Sequence, residues 1–279
     1  METTFDRWRR RLFHVAAHPI LWSRLVWGHE VRHREGPFRL NPRFVDYRPM
    51  YRTSRLPLAR FLDVPVATLD RHFGELAQIR DDLRVEVGDT MNAGALLQAP
   101  LLYLIVRSER PYWVVETGVS TGYSARFILE AMARNNAGHL DSVGIDRFAA
   151  GVHSSDLPAG LRGRSVGWLV PDRLRSRWSL HIGTSEETLP AVLAQHAGTL
   201  DGFLHDSLHQ YPVMRREYEL GSAAMRPGGL LMSHDIHTSR AWPEFLGTRS
   251  FSGDVELDHD LGVVRLPAAN GTSPRPTSG

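Results

Sequence analysis

The stretch Trp-Val-Val-Glu-Thr-Gly-Val-Ser-Thr-Gly-Tyr-Ser, residues 113–124, decides the fold. It opens with bulky residues that favour strands and closes with glycine, serine and threonine, and the apolar residues of 125–132 then recur at helical spacing. This order predicts a strand, a glycine turn and a helix. Such a turn directs backbone N–H groups and a helix N-terminus at one point, which suits a polar or anionic ligand. Gly118 and Gly122 would let that ligand approach the main chain closely.

A second acidic residue stands where such a fold needs one. In related βαβ folds, a carboxylate about twenty residues further on, at the end of the second strand, binds a ribose hydroxyl. Residues 139–146 are predicted to form that strand, with Asp146 at its tip. The spacing Glu116-x-Gly118-x-x-x-Gly122 is not the G-x-G-x-x-G of dinucleotide folds, and it lacks the lysine of a P-loop.

The same spacing resembles motif I of the class I S-adenosylmethionine-dependent methyltransferases. The resemblance covers roughly residues 90–267. It implies that the acidic residue ending the first strand contacts the methionine part of the cofactor and that the glycines pass beneath it. Relatives commonly have Gly-Asp-Ser at the adenine site, where this chain has Gly-Thr-Ser. The cofactor-binding residues that it implies are Glu116, Gly118, Ser120, Gly122, Ser124, Asp146, Thr184, Ser185 and Asp206.

Two further carboxylates end neighbouring strands. Residues 200–206 and 230–235 are predicted as the fourth and fifth strands, which end in Asp206 and Asp235. Since the carboxyl ends of parallel strands meet at one rim of the sheet, these side chains should converge. Paired carboxylates repel each other unless a cation or a shared proton intervenes. A divalent cation with oxygen ligands is the natural partner, so we expect a metal site here.

The residues around these carboxylates resemble the metal-dependent sugar and phenol O-methyltransferases, in particular the branch of macrocin O-methyltransferase and the cephalosporin-hydroxylase-like proteins. In that branch an Asp-x-x-His after strand four supplies a metal ligand and a general base, and an acidic pair after strand five supplies two more ligands. The resemblance makes Asp206 and His209 the catalytic residues. It makes Asp206 and Asp235 ligands of Mg²⁺ or Mn²⁺, and His234 stands at the position of the third ligand.

His234 departs from the acidic pair of that pattern. An imidazole ligand shifts the preference from Mg²⁺ towards Mn²⁺, Fe²⁺, Zn²⁺ or Ni²⁺. The alternative is that His234 does not ligate and that the site is weak or empty.

Strands that alternate with helices from residue 112 onward predict an α/β fold, a Rossmann-like doubly wound sheet of seven strands. Residues 250–257 and 261–266 are predicted as a final strand pair reached without a helix, so one edge strand should be antiparallel. Among the earlier elements, residues 37–56 are predicted as a loop, and residues 57–62 and 92–106 as helices.

Three regions are expected along the chain. The arginine- and tryptophan-rich residues 6–15 could form a basic amphipathic helix, which would contact a membrane surface or nucleic acid, or pack on the main domain or a second subunit. The cluster is short, which favours packing, and a homo-oligomer is one outcome. The regions are a helical region over 1–90 that acts as a substrate lid or oligomer contact, a methyltransferase domain over 91–267, and a disordered tail over 268–279.

Composition excludes several kinds of chemistry. The 33 basic residues are all arginine, which rules out a Schiff-base lysine, and the chain has no cysteine for disulfides, thiolate ligands or nucleophiles. A formal net charge of +2 gives no reason to expect nucleic acid as a partner. There is neither a long apolar run that could span a membrane nor a signal-peptide pattern, so we expect a cytoplasmic protein.

The leading functional hypothesis is methyl transfer from S-adenosylmethionine to a hydroxyl of a small molecule. The acceptor stays open between a sugar hydroxyl, a catechol-like phenol and a tailoring step on a secondary metabolite. A second hypothesis is a metal-dependent oxygenase in which His234, Asp235 and Asp206, with His237, form an iron-binding triad. A third is a non-catalytic scaffold that retains the cofactor site.

Overall fold

A computed structural model describes residues 46–87, 97–146 and 164–268, all of which belong to one compact unit that comprises residues 40–279. The helix predicted around residues 6–15 and residues 269–279 of the predicted tail lie outside the described residues. In the described ranges no helix is long and apolar enough to cross a membrane.

Seven strands form a single sheet. They are β1 Trp113–Thr117, β2 His139–Gly144, β3 Trp178–Ile182, β4 Leu200–His205, β5 Met225–Ser233, β6 Gly253–Leu257 and β7 Leu261–Arg265. Their order is β3-β2-β1-β4-β5-β7-β6, with β1 to β5 parallel and β7 antiparallel to both of its neighbours. The predicted Rossmann-like sheet of seven strands is confirmed. The antiparallel strand lies one place in from the edge, which β6 occupies.

Helices cover both faces of this sheet. They are α1 Arg48–Leu62, α2 Val66–Val87, α3 Ala99–Glu109, α4 Tyr123–Asn135, α5 Ser185–Ala194, α6 Tyr211–Ala224 and α7 Ala241–Gly247, and a 3-10 helix spans Asp172–Arg177. Side chains of α1 to α4 form one apolar core and those of α5 to α7 form another. Val114 and Val115 of β1 point into opposite cores because successive strand residues face opposite sides.

Helix α1 corrects one prediction. Residues 48–56, predicted as part of a loop, are helical and continuous with the predicted helix 57–62. A proline in the first turn costs no hydrogen bond, but Pro57 lies inside the helix, where proline normally ends one. The signal that could have found the helix is the buried series Met50, Ser54, Leu58 and Leu62, which recurs every four residues.

Two boundaries also differ from the predictions. Helix α3 begins at Ala99 within the described residues and continues to Glu109, beyond the predicted end at residue 106. Strand β5 begins at Met225, before the predicted start at residue 230, so the run Arg-Pro-Gly-Gly over 226–229 lies inside the strand. A register shift against β4 between Leu200 and Gly202 accommodates it, because a bulge leaves the proline without a required ladder bond.

Candidate active site

The carboxyl group of Glu116 at the end of β1 is fully buried and bonded to two serine hydroxyls. Ser142 Oγ donates to Oε1 at 2.7 Å and Ser124 Oγ donates to Oε2 at 3.0 Å. The Trp178 indole N–H donates to Ser142 Oγ at 2.7 Å, which commits the serine proton to Glu116. Burial raises the pKa of Glu116 to about 7; the two hydroxyl bonds lower it and the charge of Asp206 raises it further.

The two motif glycines leave no room for a side chain, because the backbone of other segments lies against them. Gly118 has φ +87°, and a Cβ built on it would lie 1.9 Å from the Asp206 carbonyl oxygen. Gly122 has φ +83°, and a Cβ there would lie 2.8 Å from the Cα of Gly167. The close approach that the sequence predicted at these positions is therefore made in the structure by other parts of the chain.

The loop between these glycines carries polar groups that the described residues do not use. Ser120 has φ +46°, an uncommon conformation for a residue other than glycine. The hydroxyl oxygens of Ser120 and Thr121 are buried and have no hydrogen-bond partner among the described residues. Buried groups of this kind usually have a partner, so these two point to a ligand.

The other predicted cofactor residues lie along the same rim, after β2 and β3. Asp146 is partly exposed two residues after the end of β2, and large apolar side chains stand open beside it at Ile145 and Ile182. Thr184 caps α5: its Oγ1 accepts from the Glu187 N–H at 3.3 Å and donates to Glu187 Oε2 at 2.8 Å. Thr184 is thus the N-cap residue of this helix.

The residues predicted as metal ligands and base come together after β4 and β5. Asp206 Oδ1 accepts from His234 Nδ1 at 2.7 Å. His209 stands between the two aspartates, with Nδ1 3.3 Å from Asp235 Oδ2 and Nε2 3.6 Å from Asp206 Oδ1. Its Nε2 is buried and has no hydrogen-bond partner among the described residues. Asp235 adopts φ +53°, a left-handed turn that follows the end of β5 directly.

The charged groups in this cluster shift one another's pKa values. Burial alone would lower the pKa of His234, but the surrounding carboxylates, Asp206 first, raise it to about 10, so the ring is an imidazolium near neutral pH. Burial raises the pKa of Asp206, and the charge of His234 opposes this effect, together with the His234 hydrogen bond and the nearby ring of His209. The net pKa of Asp206 lies below its ordinary value.

Asp260 belongs to the cluster and was not predicted. It is buried in the turn between β6 and β7, and its Oδ2 lies 3.6 Å from His234 Nε2. Because β7 is antiparallel to β5, the start of β7 meets the end of β5 at the same rim. A polar residue just before the last strand was therefore the signal available in the sequence.

A buried polar network supports the cluster from below. His205 Nδ1 lies 2.6 Å from Glu217 Oε2, and Ser207 Oγ donates to Glu217 Oε1 at 2.7 Å. The Thr117 hydroxyl donates to the same carboxylate. Burial raises the pKa of Glu217, but the His205 bond leads the interactions that lower it, and the pKa lies below its usual value. This network fixes the ends of β1 and β4 against α6.

The donors fit a cation. Two groups of three residues have ligand atoms within 4.8 Å of one another: Asp206, His209 and His234, and His234, Asp235 and Asp260. Three carboxylates surround one imidazolium in this arrangement, and a divalent cation would balance the excess negative charge. The two imidazoles favour a transition metal over Mg²⁺. His237 lies apart from both groups, exposed and 3.0 Å from Glu256 Oε1.

Comparison with known proteins assigns this region. Residues 115–236 match a family model described as a methyltransferase domain, from β1 to just beyond β5. The matched residues include Glu116, Asp146, Asp206 and Asp235. This part of the chain is a methyltransferase domain, and the class predicted from the sequence is confirmed. No curated protein matches the chain.

Solved structures with a similar fold include O-methyltransferases. One is the O-methyltransferase TomG of Streptomyces achromogenes, in complex with SAM, at 17% identity over 71% of this chain and 90% of that chain, with a TM-score of 0.42. Another is the O-methyltransferase of Bacillus cereus, in complex with SAH, at 14% identity over 76% and 96%, with a TM-score of 0.43. The similarity to these structures is one of fold alone.

Proposed function

We propose that this protein transfers a methyl group from S-adenosylmethionine to a hydroxyl of a small-molecule acceptor such as a secondary metabolite, assisted by a divalent cation. The observation that carries the proposal is the placement of Asp206, His209, His234 and Asp235 as one cluster, at the rim of a methyltransferase domain and beside the loop that follows Glu116. The family match supports methyl transfer over an oxygenase.

The rim after β1 and β2 supports the placement of the cofactor. The unpartnered hydroxyls of Ser120 and Thr121 suit a polar ligand, and Asp146 offers a carboxylate to ribose hydroxyls. The exposed side chains of Ile145 and Ile182 would cover an adenine ring. Ser124 starts the helix that follows the loop and is fixed by its bond to Glu116.

Asp206, His234 and Asp235 would hold the cation. Support comes from the excess of carboxylates around His234 in the cluster. A cation ligated by His234 must displace the proton that the ring carries near neutral pH, so it binds more tightly as the pH rises.

S-adenosylmethionine, when bound, supplies an activated methyl group, and the cation, when bound, supplies the positive charge that makes an acceptor hydroxyl more acidic. His209 takes the hydroxyl proton at a ring nitrogen. Asp235 and Asp206 lie 3.3 Å and 3.6 Å from its two nitrogens and stabilise the imidazolium that results. Because methyl transfer is an in-line displacement, the rest of the domain acts mainly by positioning the two reactants.

Calorimetric titration of the full chain with S-adenosylhomocysteine tests the cofactor placement. We expect Asp146→Ala to weaken binding roughly 10- to 100-fold, the usual worth of hydrogen bonds to a charged group. Asp172→Ala, at a fully exposed carboxylate on the 3-10 helix, is the matched control and should bind normally. A folded Asp146→Ala protein with unchanged affinity, or a native protein that does not bind, would contradict the proposal.

A further inference from the structure

An apolar groove opens beside the candidate active site, between helix α7 and the hairpin of β6 and β7. Its volume is about 230 Å³. Buried Ile236, Trp242 and Val263 contribute to its wall. The residues that line it are Ile236, His237, Trp242, Pro243, Leu246, Asp254, Val255, Glu256 and Val263.

The rim of this groove is acidic. Asp254 and Glu256 are exposed on the edge strand β6, and no arginine lines the groove. His237 contacts Glu256, while the described residues give Asp254 neither an ion pair nor a hydrogen bond. In the ladder these two carboxylates stand opposite Val264 and Gly262, on the face of the sheet where Trp242 packs over Gly262. They therefore lie on the same side of the sheet as α7.

The groove adjoins the metal and base cluster directly. Its first lining residue, Ile236, follows Asp235 in the chain, and the Ile236 N–H donates to the Asp260 carbonyl at 3.5 Å. Asp235 and Asp260 both belong, with His234, to one of the two groups of residues that could hold a cation. A molecule whose hydroxyl lies at the cluster can thus extend along the sheet into the groove.

We infer that the groove binds the part of the acceptor remote from the reacting hydroxyl, and that this part is an apolar group bearing a protonated amine. The inference rests on the proposed function for the position of the hydroxyl. The walls remove apolar surface from water, and the two carboxylates at the rim complement a cation. A neutral or anionic group of the same size lacks that second interaction, so the groove selects by charge.

Ligand-observed NMR titration of the full chain with tyramine and with tyrosol tests this. Both carry a phenol and are similar in size, and only tyramine carries an ammonium. We expect tyramine to bind roughly tenfold more tightly, which is the combined worth of two exposed charge pairs, and the preference to shrink at high salt. The double variant Asp254→Asn, Glu256→Gln should bind the two compounds equally. Asp81→Asn, at an exposed carboxylate of α2, should keep the preference.

Leu246→Trp, which fills the groove, should abolish binding of both compounds. Equal binding of tyramine and tyrosol to the native chain, or an unchanged preference in the double variant, would overturn the inference. So would a native dimer that Leu246→Trp dissociates, because the groove would then belong to a second copy of the chain. Titration with S-adenosylhomocysteine distinguishes the two proposals. If S-adenosylhomocysteine binds but tyramine is not preferred over tyrosol, only the inference about the groove is contradicted. If S-adenosylhomocysteine does not bind, the proposed function is contradicted.

Discussion

Two carboxyl groups on adjacent parallel strands have opposite electrostatic environments. Glu116 of β1 is bonded to neutral hydroxyls, and burial raises its pKa to about 7. Asp206, which follows β4, is only partly buried, and its interactions with His234 and His209 together outweigh the effect of burial, so its pKa is lowered. Position in the sheet is nearly the same for both, so the neighbouring donors decide the charge of each.

The difference divides the rim into two parts. The side that includes Glu116 and Ser124 is built from hydroxyls and carries little fixed charge, whereas the side that includes Asp206, His234 and Asp260 is built from charged groups. Pairs of titratable groups with divergent pKa values are typical of sites where acid and base roles are separated. We therefore expect proton transfer on the second side.

The largest expected effect is at His209. His209→Ala should lower the rate of methyl transfer to a hydroxylated acceptor by roughly 10²–10⁴, the usual worth of a positioned base, while the metal content stays unchanged. Asp235→Ala should instead remove the metal, as measured by mass spectrometry of the native protein. The same alanine substitution at His72 of α2, outside the site, should change neither quantity. If His209→Ala also loses the metal, His209 is a ligand and the assignment as base is wrong.

The next largest effect is expected where Gly118, on the first side, contacts the Asp206 backbone on the second side. Gly118→Ala would force a Cβ against the Asp206 carbonyl at a positive φ, and we expect the free energy of unfolding to fall by about 3 kcal/mol or more. Gly198→Ala is the matched control, because Gly198 has φ +72° with open space around its Cβ position. It should cost only about 1–2 kcal/mol. Equal losses in chemical unfolding would show that the contact with Asp206 does not matter.

The stability of the side that includes Glu116 should depend on pH. The pKa of Glu116 is raised from 4.5 to about 7 on folding, so the folded state binds the extra proton and stability falls as the pH rises from 4.5 to 7. Glu116→Gln should remove this decline, worth up to about 3 kcal/mol. The glutamine oxygen can accept from Ser142 while its amide donates to Ser124, so the bonds survive.

The raised pKa of His234 acts in a separate window. Its stabilisation is complete below pH 6.5 and is lost as the pH rises towards 10, and Glu116→Gln should leave that limb unchanged. Unfolding titrations from pH 4.5 to 10 measure both limbs. A native protein whose stability does not fall between pH 4.5 and 7 relative to the glutamine variant would refute the neutral character of Glu116.

The smallest expected effect is at Thr184, the N-cap residue of α5. Thr184→Ala removes the cap of α5 and should cost about 1 kcal/mol of unfolding free energy, whereas Thr184→Ser should keep it. Titration of both variants with S-adenosylhomocysteine also tests the predicted cofactor contact. Equal binding in both variants would limit Thr184 to its role as a cap.

The sequence predicted much of the fold because its signals are local. Each signal lies within one element or directly beside it. The signals are the apolar run before Glu116, the glycine turn, and the carboxylates after β2, β4 and β5. The structure confirms these elements. Thr184 and Glu187 are likewise close in sequence. The first part of helix α1, residues 48–56, escaped prediction because Pro57 and the arginines of the helix mask a buried period of four.

The rest of the candidate site depends on contacts between distant residues. Asp260 meets His234 only because β7 inserts antiparallel beside β5, and Gly118 meets Asp206 only because β1 and β4 are neighbours. The carboxyl group of Glu116 accepts a hydrogen bond from Ser142, which lies 26 residues away. No single element carries these pairings, so spacing alone could not predict them.

The position of β7 also orders the assembly of the molecule. Strand β7 lies between β5 and β6, so the sheet is completed by almost the last residues that the structure describes. Until this hairpin is in place, β5 presents an open edge that can pair with another chain. His234 also lacks Asp260, one of the three carboxylates around its ring. During synthesis the domain therefore stays prone to aggregation and without a complete site until the hairpin emerges, and a chain cut short before it should be both insoluble and inactive.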